Sequence, residues 1–342
     1  MKGRKLKAAI IGCGRIAYGF SKDPKRPKPA THFEAYKGNT SIDLVAVCDS
    51  DNSRSGDFGP DCRFYEDYRK LINEQHPDVI SICTPPDSHF EIACYAVNAG
   101  VRAVFCEKPM VLSLKEADEL VELVKKRKTV FAVNFLRRWD PFLNRIADFI
   151  MSGELGEIVS VDCYYTAGII NTGSHMIDLL RMLTGSEVES VKSDVRDKNK
   201  FPDPTIDVVL RCDEQFNCYF HGMEKDDYMI FEMSIYGSKG KIVLYDNVRK
   251  ADYLIPADSP NMSGYKELVK KEHDWGERQG SLIDKGLGKI IDAVNGKPVK
   301  YCNVDDGAKT IEILAGIMMS VENSGKKVSF PLKNRDVSIG GI

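Results

Sequence analysis

Chemistry in this chain starts from a glycine-rich turn, an aspartate, a lysine and a histidine. Gly12-Cys13-Gly14-Arg15-Ile16-Ala17 directly follows the apolar run Lys7 to Ile11 and has the form G-x-G-x-x-A. Such a turn brings backbone amides close to a pyrophosphate at a helix N-terminus, where the helix dipole favours an anion. Gly12 makes the turn, Gly14 permits contact and Ala17 permits a helix to pack on the strand. Asp49 ends the next apolar run, where a carboxylate accepts hydrogen bonds from an adenosine ribose and repels a 2′-phosphate, so NAD is expected over NADP. Lys108 follows a buried strand at its carboxyl end, where ligands bind in open α/β sheets and an ammonium can face a nicotinamide. His175 lies on the first turn of a helical segment and can take up a proton near neutral pH, with Asp178 one turn further on as a supporting residue.

The elements that must position these residues follow from periodicity. Lys7 to Ile11, Leu44 to Cys48, Val79 to Thr84, Arg102 to Cys106 and Thr129 to Phe135 read as buried strands alternating with helices, the rhythm of a parallel sheet. Ser88 and Glu91 read as a capping box opening a helix that ends at Gly100, and Ser113 with Glu116 opens another. Beyond about residue 140 short loops join Ile158 to Tyr165, Val188 to Val195, Ile206 to Cys212, Asn217 to Met223, Met229 to Tyr236 and Lys241 to Tyr245, which predicts an antiparallel sheet. Helices are expected at Gly173 to Leu183, Leu282 to Val294 and Asp306 to Val321. Lys250 to Gly280, rich in charge and turn formers, reads as a long loop. The fold class expected is an α/β Rossmann domain over residues 1–135, followed over 136–342 by an α+β substrate-binding and oligomerisation domain with an open, mostly antiparallel sheet; the C-terminal segment has the option of packing back on the first domain.

The distance from the glycines to Asp49 exceeds the usual spacing of about 20 residues. An insertion, Tyr18 to Thr31, accounts for it and carries Lys22, Lys25, Arg26 and Lys28. It reads as a solvated loop, with closure over the cofactor or reception of a phosphorylated substrate as the alternatives.

Composition limits the partners. The 342 residues suit two cores, and 48 basic against 50 acidic residues leave no global field for nucleic acid or an anionic membrane, so a small molecule is the expected partner. The ten cysteines are scattered without a C-x-x-C pair, which argues against a zinc ribbon or a thioredoxin-like site, and no metal is expected. Met1 to Leu6 lacks a signal-peptide pattern and no apolar run spans a bilayer, so the expected location is cytoplasmic.

Thr84-Pro85-Pro86-Asp87-Ser88-His89, Ala99-Gly100 and Glu107-Lys108-Pro109-Met110 together resemble the glucose-fructose oxidoreductase / inositol dehydrogenase / MocA family. The resemblance extends through Asn134 to Pro141, Gly153 to Ile158 and Gly173 to Arg181. It implies a cis Lys108-Pro109 junction and a cofactor site drawing on Gly12, Gly14, Arg15, Ile16, Asp49, Thr84, Pro85, His89, Glu107 and Lys108. His89 also reads as a plain helix-end residue. The resemblance makes Gly173 to Asp178 a substrate helix, with Lys108 and His175 catalytic. Where the family commonly has an aspartate, four residues before the histidine, this chain has Asn171, which can orient a hydroxyl but cannot take a proton. Members acting on nucleotide-linked sugars resemble this Asn-x-Gly-x-His form. Arg137 and Arg138 are placed to contact the nicotinamide or an anionic substrate, or to form a structural ion pair, and Trp139 reads as interdomain packing.

The reaction these residues imply is oxidation of a ring secondary alcohol of a sugar, nucleotide sugar or cyclitol. Lys108 would hydrogen-bond the reacting oxygen, His175 would accept the proton and hydride would pass to NAD. A non-catalytic dinucleotide-binding regulator and a reductase of a non-sugar substrate remain as alternatives. By resemblance the assembly expected is a homodimer or homotetramer.

Overall fold

A computed structural model describes residues 4–195, 203–276 and 280–339. The chain forms two compact units, Met1–Asp140 with Gln279–Ile311, and Pro141–Arg278 with Glu312–Ile342.

The first unit is built from β1 (Leu6–Ile11), α1 (His32–Gly38), β2 (Ile42–Cys48), β3 (Arg63–Tyr65), α2 (Tyr68–Gln75), β4 (Val79–Ile82), α3 (His89–Asn98), β5 (Ala103–Cys106), α4 (Leu114–Arg127) and β6 (Val130–Val133). Its strands form a six-stranded parallel sheet in the order β3-β2-β1-β4-β5-β6. All residues of β4 and β5 are buried, as expected for central strands covered on both faces. In α4 the Ser113 hydroxyl accepts from the Glu116 amide at 3.2 Å, a cap that stabilises by about 1 kcal/mol. The expected cap at Ser88 does not form. Its hydroxyl bonds Thr84 Oγ1 and the Pro85 carbonyl, and Glu91 pairs with Arg69 instead, because Ser88 sits in a helical turn begun by Pro86.

The second unit carries α5 (Pro141–Met151), β7 (Ile158–Thr166), α6 (Ser174–Thr184), β8 (Val188–Val195), β9 (Ile206–Cys212), β10 (Phe216–Met223), β11 (Phe231–Gly237), β12 (Gly240–Tyr245), β13 (Lys250–Asp258) and β14 (Lys266–Lys271). The chain then gives α7 (Leu282–Val294) to the first unit, α8 (Val304–Glu322) to both in turn, and β15 (Val328–Ser329) to the second. The sheet of the second unit has nine strands in the order β14-β13-β12-β11-β7-β10-β9-β8-β15. It is antiparallel except for the β7/β10 pair. Burial alternates along β9, β10 and β11, with Val208, Phe220 and Met233 among the inward residues.

The reading of Lys250 to Gly280 as a long loop is corrected by β13 and β14, which pair from Tyr253/Lys271 to Asp258/Lys266. These are outer strands, and their lysines and Pro256 are the residues that blunt a sheet edge and make a strand look like a loop in sequence. Within the first unit Trp139 donates its indole N–H to Asn134 Oδ1 at 2.8 Å and stands edge-on to Phe105. Gly286 of α7 lies so close that a Cβ there would come within 2.9 Å of the indole nitrogen.

Candidate functional site

The strand order of the first unit reverses between β1 and β4, and at that point the carboxyl ends of the strands open a crevice suited to a ligand. A cavity of about 600 Å³ lies there, lined among others by Gly12, Gly14, Asp49, Thr84 and Pro85. Gly12 has φ +89, and a Cβ on it would stand 2.6 Å from the carbonyl carbon of Cys83 and the amide nitrogen of Thr84. A Cβ on Gly14 would meet nothing within 4 Å, so the turn is closed behind and open in front. Such a cradle fits a dinucleotide, whose pyrophosphate needs bare backbone at that place.

The helix expected at the glycine turn is a short one. The Tyr18 and Gly19 amides donate to the Gly14 carbonyl, and the turn passes into 3-10 geometry at Gly19–Lys22. Pro24, Pro27 and Pro29 prevent its continuation. The chain loops out and rejoins at α1, where the His32 and Phe33 amides donate to the Ile16 and Ala17 carbonyls. A cap absent from the sequence reading opens α1: Thr31 Oγ1 accepts from the Glu34 amide, while Glu34 Oε2 accepts from the Ala30 amide just before the cap. The insertion is bound both to itself and to the elements beside it. Lys28 donates to the Ser21 carbonyl and pairs with Glu34, Lys22 pairs with Asp57, and Arg26 stacks on Phe20. Arg15 lies over the same Phe20 ring.

Asp49 Oδ2 accepts from the Cys13 amide at 2.7 Å and Oδ1 from the Asp51 amide at 3.0 Å. Arg54 lies 3.7 Å from Asp49 and 3.2 Å from Asp51, and it donates to the Cys13 carbonyl at 2.7 Å. The glycine turn and the carboxylate are thus bound to one another through a residue that sequence reasoning passed over.

Lys108 follows β5 and its bond to Pro109 is cis. Both neighbours are held from within the unit. Glu107, its side chain 13% exposed, accepts from Asn134 Nδ2 at 2.6 Å and meets His32 Nε2 at 2.9 Å. His89 is fully buried, with Nδ1 2.9 Å from the Pro109 carbonyl and Nε2 2.9 Å from the Thr84 carbonyl. Its ring lies between two cofactor-side loops, and in the neutral form it donates to one of these carbonyls at a time. Burial holds the His89 pKa below the ordinary value, against the opposing pull of those carbonyls. For Glu107 burial raises the pKa, but hydrogen bonding and charge from His32, then Asn134 and Lys108, outweigh it and the net direction is down. Arg138 pairs with Asp306 at 3.3 Å, and Arg137 adjoins it on the same 3-10 turn.

In the second unit a π-helical turn, Gly168–Gly173, leads into α6. It carries Asn171, which is exposed, while α6 carries His175, half-buried, and Asp178, buried. The chain enters this turn through Ala167 at φ +65, a left-handed conformation that costs a non-glycine residue energy and clusters at functional sites. Asp203 holds the turn, accepting from the Ile170 amide at 2.7 Å and the Asn171 amide at 3.0 Å. Nothing near Asn171 in the sequence signals this partner.

The structure thus gathers Gly12, Gly14, Asp49, Thr84 and Pro85 on one cavity, sets His89 and Glu107 behind the Lys108 turn, and groups Asn171, His175 and Asp178 on a separate unit. Burial pushes the thiols of Cys48, Cys62, Cys94 and Cys212 up to about 12, 11, 11 and 12, which suits packing rather than nucleophilic chemistry. Among the described residues no cluster of His, Cys, Asp and Glu could hold a metal ion, and no helix is long and apolar enough to cross a membrane.

Residues 6–135 match an oxidoreductase family through its NAD-binding Rossmann fold, and residues 166–330 match the same family's C-terminal alpha/beta domain. An inositol 2-dehydrogenase of Salmonella typhimurium is 28% identical over 204 residues, which are 55% of this chain and 57% of that protein. A D-glucoside 3-dehydrogenase of Escherichia coli is 29% identical over 161 residues, 46% of this chain and 42% of that protein. The matched stretch thus spans about half the length of these curated relatives. In fold the chain is similar to the WlbA dehydrogenase from Bordetella pertussis in complex with NADH and UDP-GlcNAcA, with TM-score 0.78, 20% identity and coverage of 96% of this chain and 100% of the other. It is similar also to a levoglucosan dehydrogenase in complex with NADH and L-sorbose, with TM-score 0.78, 18% identity and the same coverage.

Proposed function

Since the chain belongs to the Gfo/Idh/MocA oxidoreductase family, we propose that it is an NAD-dependent dehydrogenase that moves a hydride between nicotinamide and a ring secondary alcohol of a sugar, nucleotide sugar or cyclitol. The observation that carries this reading is the Lys108 turn: a lysine at the carboxyl end of a central parallel strand, with both neighbouring residues held by buried side chains. A group fixed in this way can stabilise charge that develops on an oxygen without reorganising during the reaction.

In the mechanism proposed, Gly12, Gly14, Thr84 and Pro85 hold the dinucleotide and Asp49 receives the adenosine ribose, which favours NAD over NADP. The nicotinamide supplies the hydride acceptor when bound. Lys108 hydrogen-bonds the reacting oxygen and stabilises negative charge on it, His175 accepts the proton, and Asn171 orients a hydroxyl it cannot deprotonate. Arg137, Arg138 and Asp178 support the substrate side. Two relatives are named for oxidation of a cyclitol and of a D-glucoside, in keeping with this substrate class. A cytoplasmic setting, and a homodimer or homotetramer using the outer sheet face with its half-exposed Tyr164, Tyr219 and Tyr236, belong to the same reading.

The test is NADH formation by the purified protein on a panel of inositols, aldoses, glucosides and nucleotide sugars, with NADP in parallel. Turnover of at least one cyclic polyol is expected, faster with NAD. Tight NAD binding without turnover of any of them would refute the proposal in favour of a regulator.

A further inference from the structure

A line of buried polar groups runs beneath the cofactor face and ends at Glu107. The Tyr36 hydroxyl lies 2.7 Å from Ser81 Oγ, which lies 2.8 Å from His32 Nδ1. His32 Nε2 reaches Glu107 Oε1, the same oxygen that accepts from Asn134, and Asn134 in turn accepts from Trp139. His32, Tyr36, Ser81 and Asn134 are each no more than 1% exposed. One assignment of protons satisfies the whole line. Tyr36 donates to Ser81, Ser81 donates to His32 Nδ1, and the imidazole donates its Nε2 proton to the Glu107 carboxylate. Such a network is costly to keep half-satisfied, and here it converges on the residue immediately before Lys108.

Charge leads to the same place. Among the described residues, the titratable groups facing Glu107 include His32 from α1, Cys83 after β4, His89 from α3, Cys106 from β5 and Lys108 itself. Burial pushes both thiols up and His89 down, so these three stay neutral near pH 7. Glu107 is drawn toward its ionised form by His32 and Asn134 and, through charge, by Lys108 beside it.

We propose that His32 is a positioning residue for Lys108, acting through Glu107: the imidazole keeps the carboxylate anionic and fixed directly before the lysine, and so sets the aim and the charge of the ammonium. The inference rests on the proposed role of Lys108 in hydride transfer. Without the His32 donor, burial is less well opposed, the Glu107 carboxyl shifts toward its neutral form and the anion beside Lys108 is weakened.

The experiment titrates Lys108 in the full chain by amine-selective acylation at graded pH, read by mass spectrometry, in wild type, His32→Leu, His32→Gln and Glu107→Gln. The Lys108 midpoint is expected to fall by about one pH unit in His32→Leu and Glu107→Gln, because an opposite charge has been withdrawn. His32→Gln, whose amide can still donate to Glu107 and accept from Ser81, is expected to restore it. On any polyol the wild type turns over, kcat is expected to drop about 100-fold in His32→Leu, with NAD affinity and KM within about twofold, since a small misplacement acts on the transition state. An unchanged Lys108 midpoint in a folded His32→Leu or Glu107→Gln protein overturns the proposal, as does an equal fall in His32→Gln. Should His32→Leu fail to fold, the near-isosteric Glu107→Gln decides alone. A wild type without turnover would refute the dehydrogenase reading, while the lysine titration would still decide this one.

Discussion

The two units hold their candidate groups by different means. In the first, Asp49 and Lys108 stand at the ends of parallel strands, and each is braced by several partners: the Cys13 and Asp51 amides for one, Glu107 and the His89-bound Pro109 carbonyl for the other. In the second, Asn171 rides on a π-helical turn entered through a left-handed alanine and held by the carboxylate of Asp203. A cofactor presents the same chemistry whichever alcohol is oxidised, so a rigid multiply pinned mount suits it. A turn held largely through the neighbouring Asp203 and Pro204 can be re-aimed by changes in that one loop, which would suit the substrate side on the proposed reading.

The strongest way to break this contrast is Lys108→Ala. On the proposed reading it lowers kcat by about 1000-fold or more, because the lost group acts on charge in the transition state, while NAD affinity stays within about twofold. Stopped-flow turnover and calorimetric NAD titration would check both. A parallel loss of NAD affinity would make Lys108 a cofactor anchor.

Asp203→Ala tests the other side. The carboxylate makes two bonds to backbone amides, and a hydrogen bond to a charged group contributes about 1.5–3 kcal/mol. Release of the turn is expected to lower kcat/KM for the polyol by about 10- to 100-fold without changing NAD affinity. Asp203→Asn, which keeps one acceptor, should recover part of the loss. Equal damage to cofactor and substrate affinity would erase the distinction between the units.

How far sequence reached follows the same division. β1, β4 and β5 were legible because central parallel strands are continuous apolar runs, and Gly12 because a backbone packed against Cys83 and Thr84 tolerates no other residue. β13 and β14 were not, because the edge strand β14 and its neighbour β13 carry the charges and proline that local reading assigns to loops. The Ser88 pattern misled because a proline-started turn preceded it and gave its hydroxyl other partners. The residues that hold the site were hidden by distance along the chain: His32 lies 75 positions from Glu107, and Asp203 lies 32 from Asn171. Periodicity reports which face of an element is buried; it carries nothing about a polar partner brought in by tertiary folding.

A smaller effect sharpens the reading of the cofactor side. Asp49→Asn keeps the shape but withdraws the charge that repels a 2′-phosphate. NAD affinity is expected to fall about 10-fold while NADP affinity rises, as parallel titrations would show, with Arg54 left less neutralised beside the ribose site. No gain for NADP would mean that charge at Asp49 does not set the preference.

The smallest effect concerns pH. His89 in the folded first unit has a pKa below its unfolded value near 6.5, so the native state binds fewer protons than the unfolded chain once pH drops below 6.5. Stability contributed by the neutral ring is complete above that pH and erodes as pH falls toward the folded value. Glu107 adds to the same trend lower down, its depressed pKa giving stability present above 4.5 and lost as pH falls below it. One differential proton amounts to at most about 1.4 kcal/mol per pH unit, which is the ceiling on the slope expected as pH falls from about 7 to about 5.5. Because the chain has two units, a single melting temperature would blur the effect, and hydrogen exchange read separately on α3 with β5 and on β9 with β10 resolves it. Protection should decline with acid in α3 and β5 first. In His89→Asn, which keeps a donor for one carbonyl without a group that titrates in this range, that decline should flatten; a decline that persists would place its source elsewhere than at the buried ring.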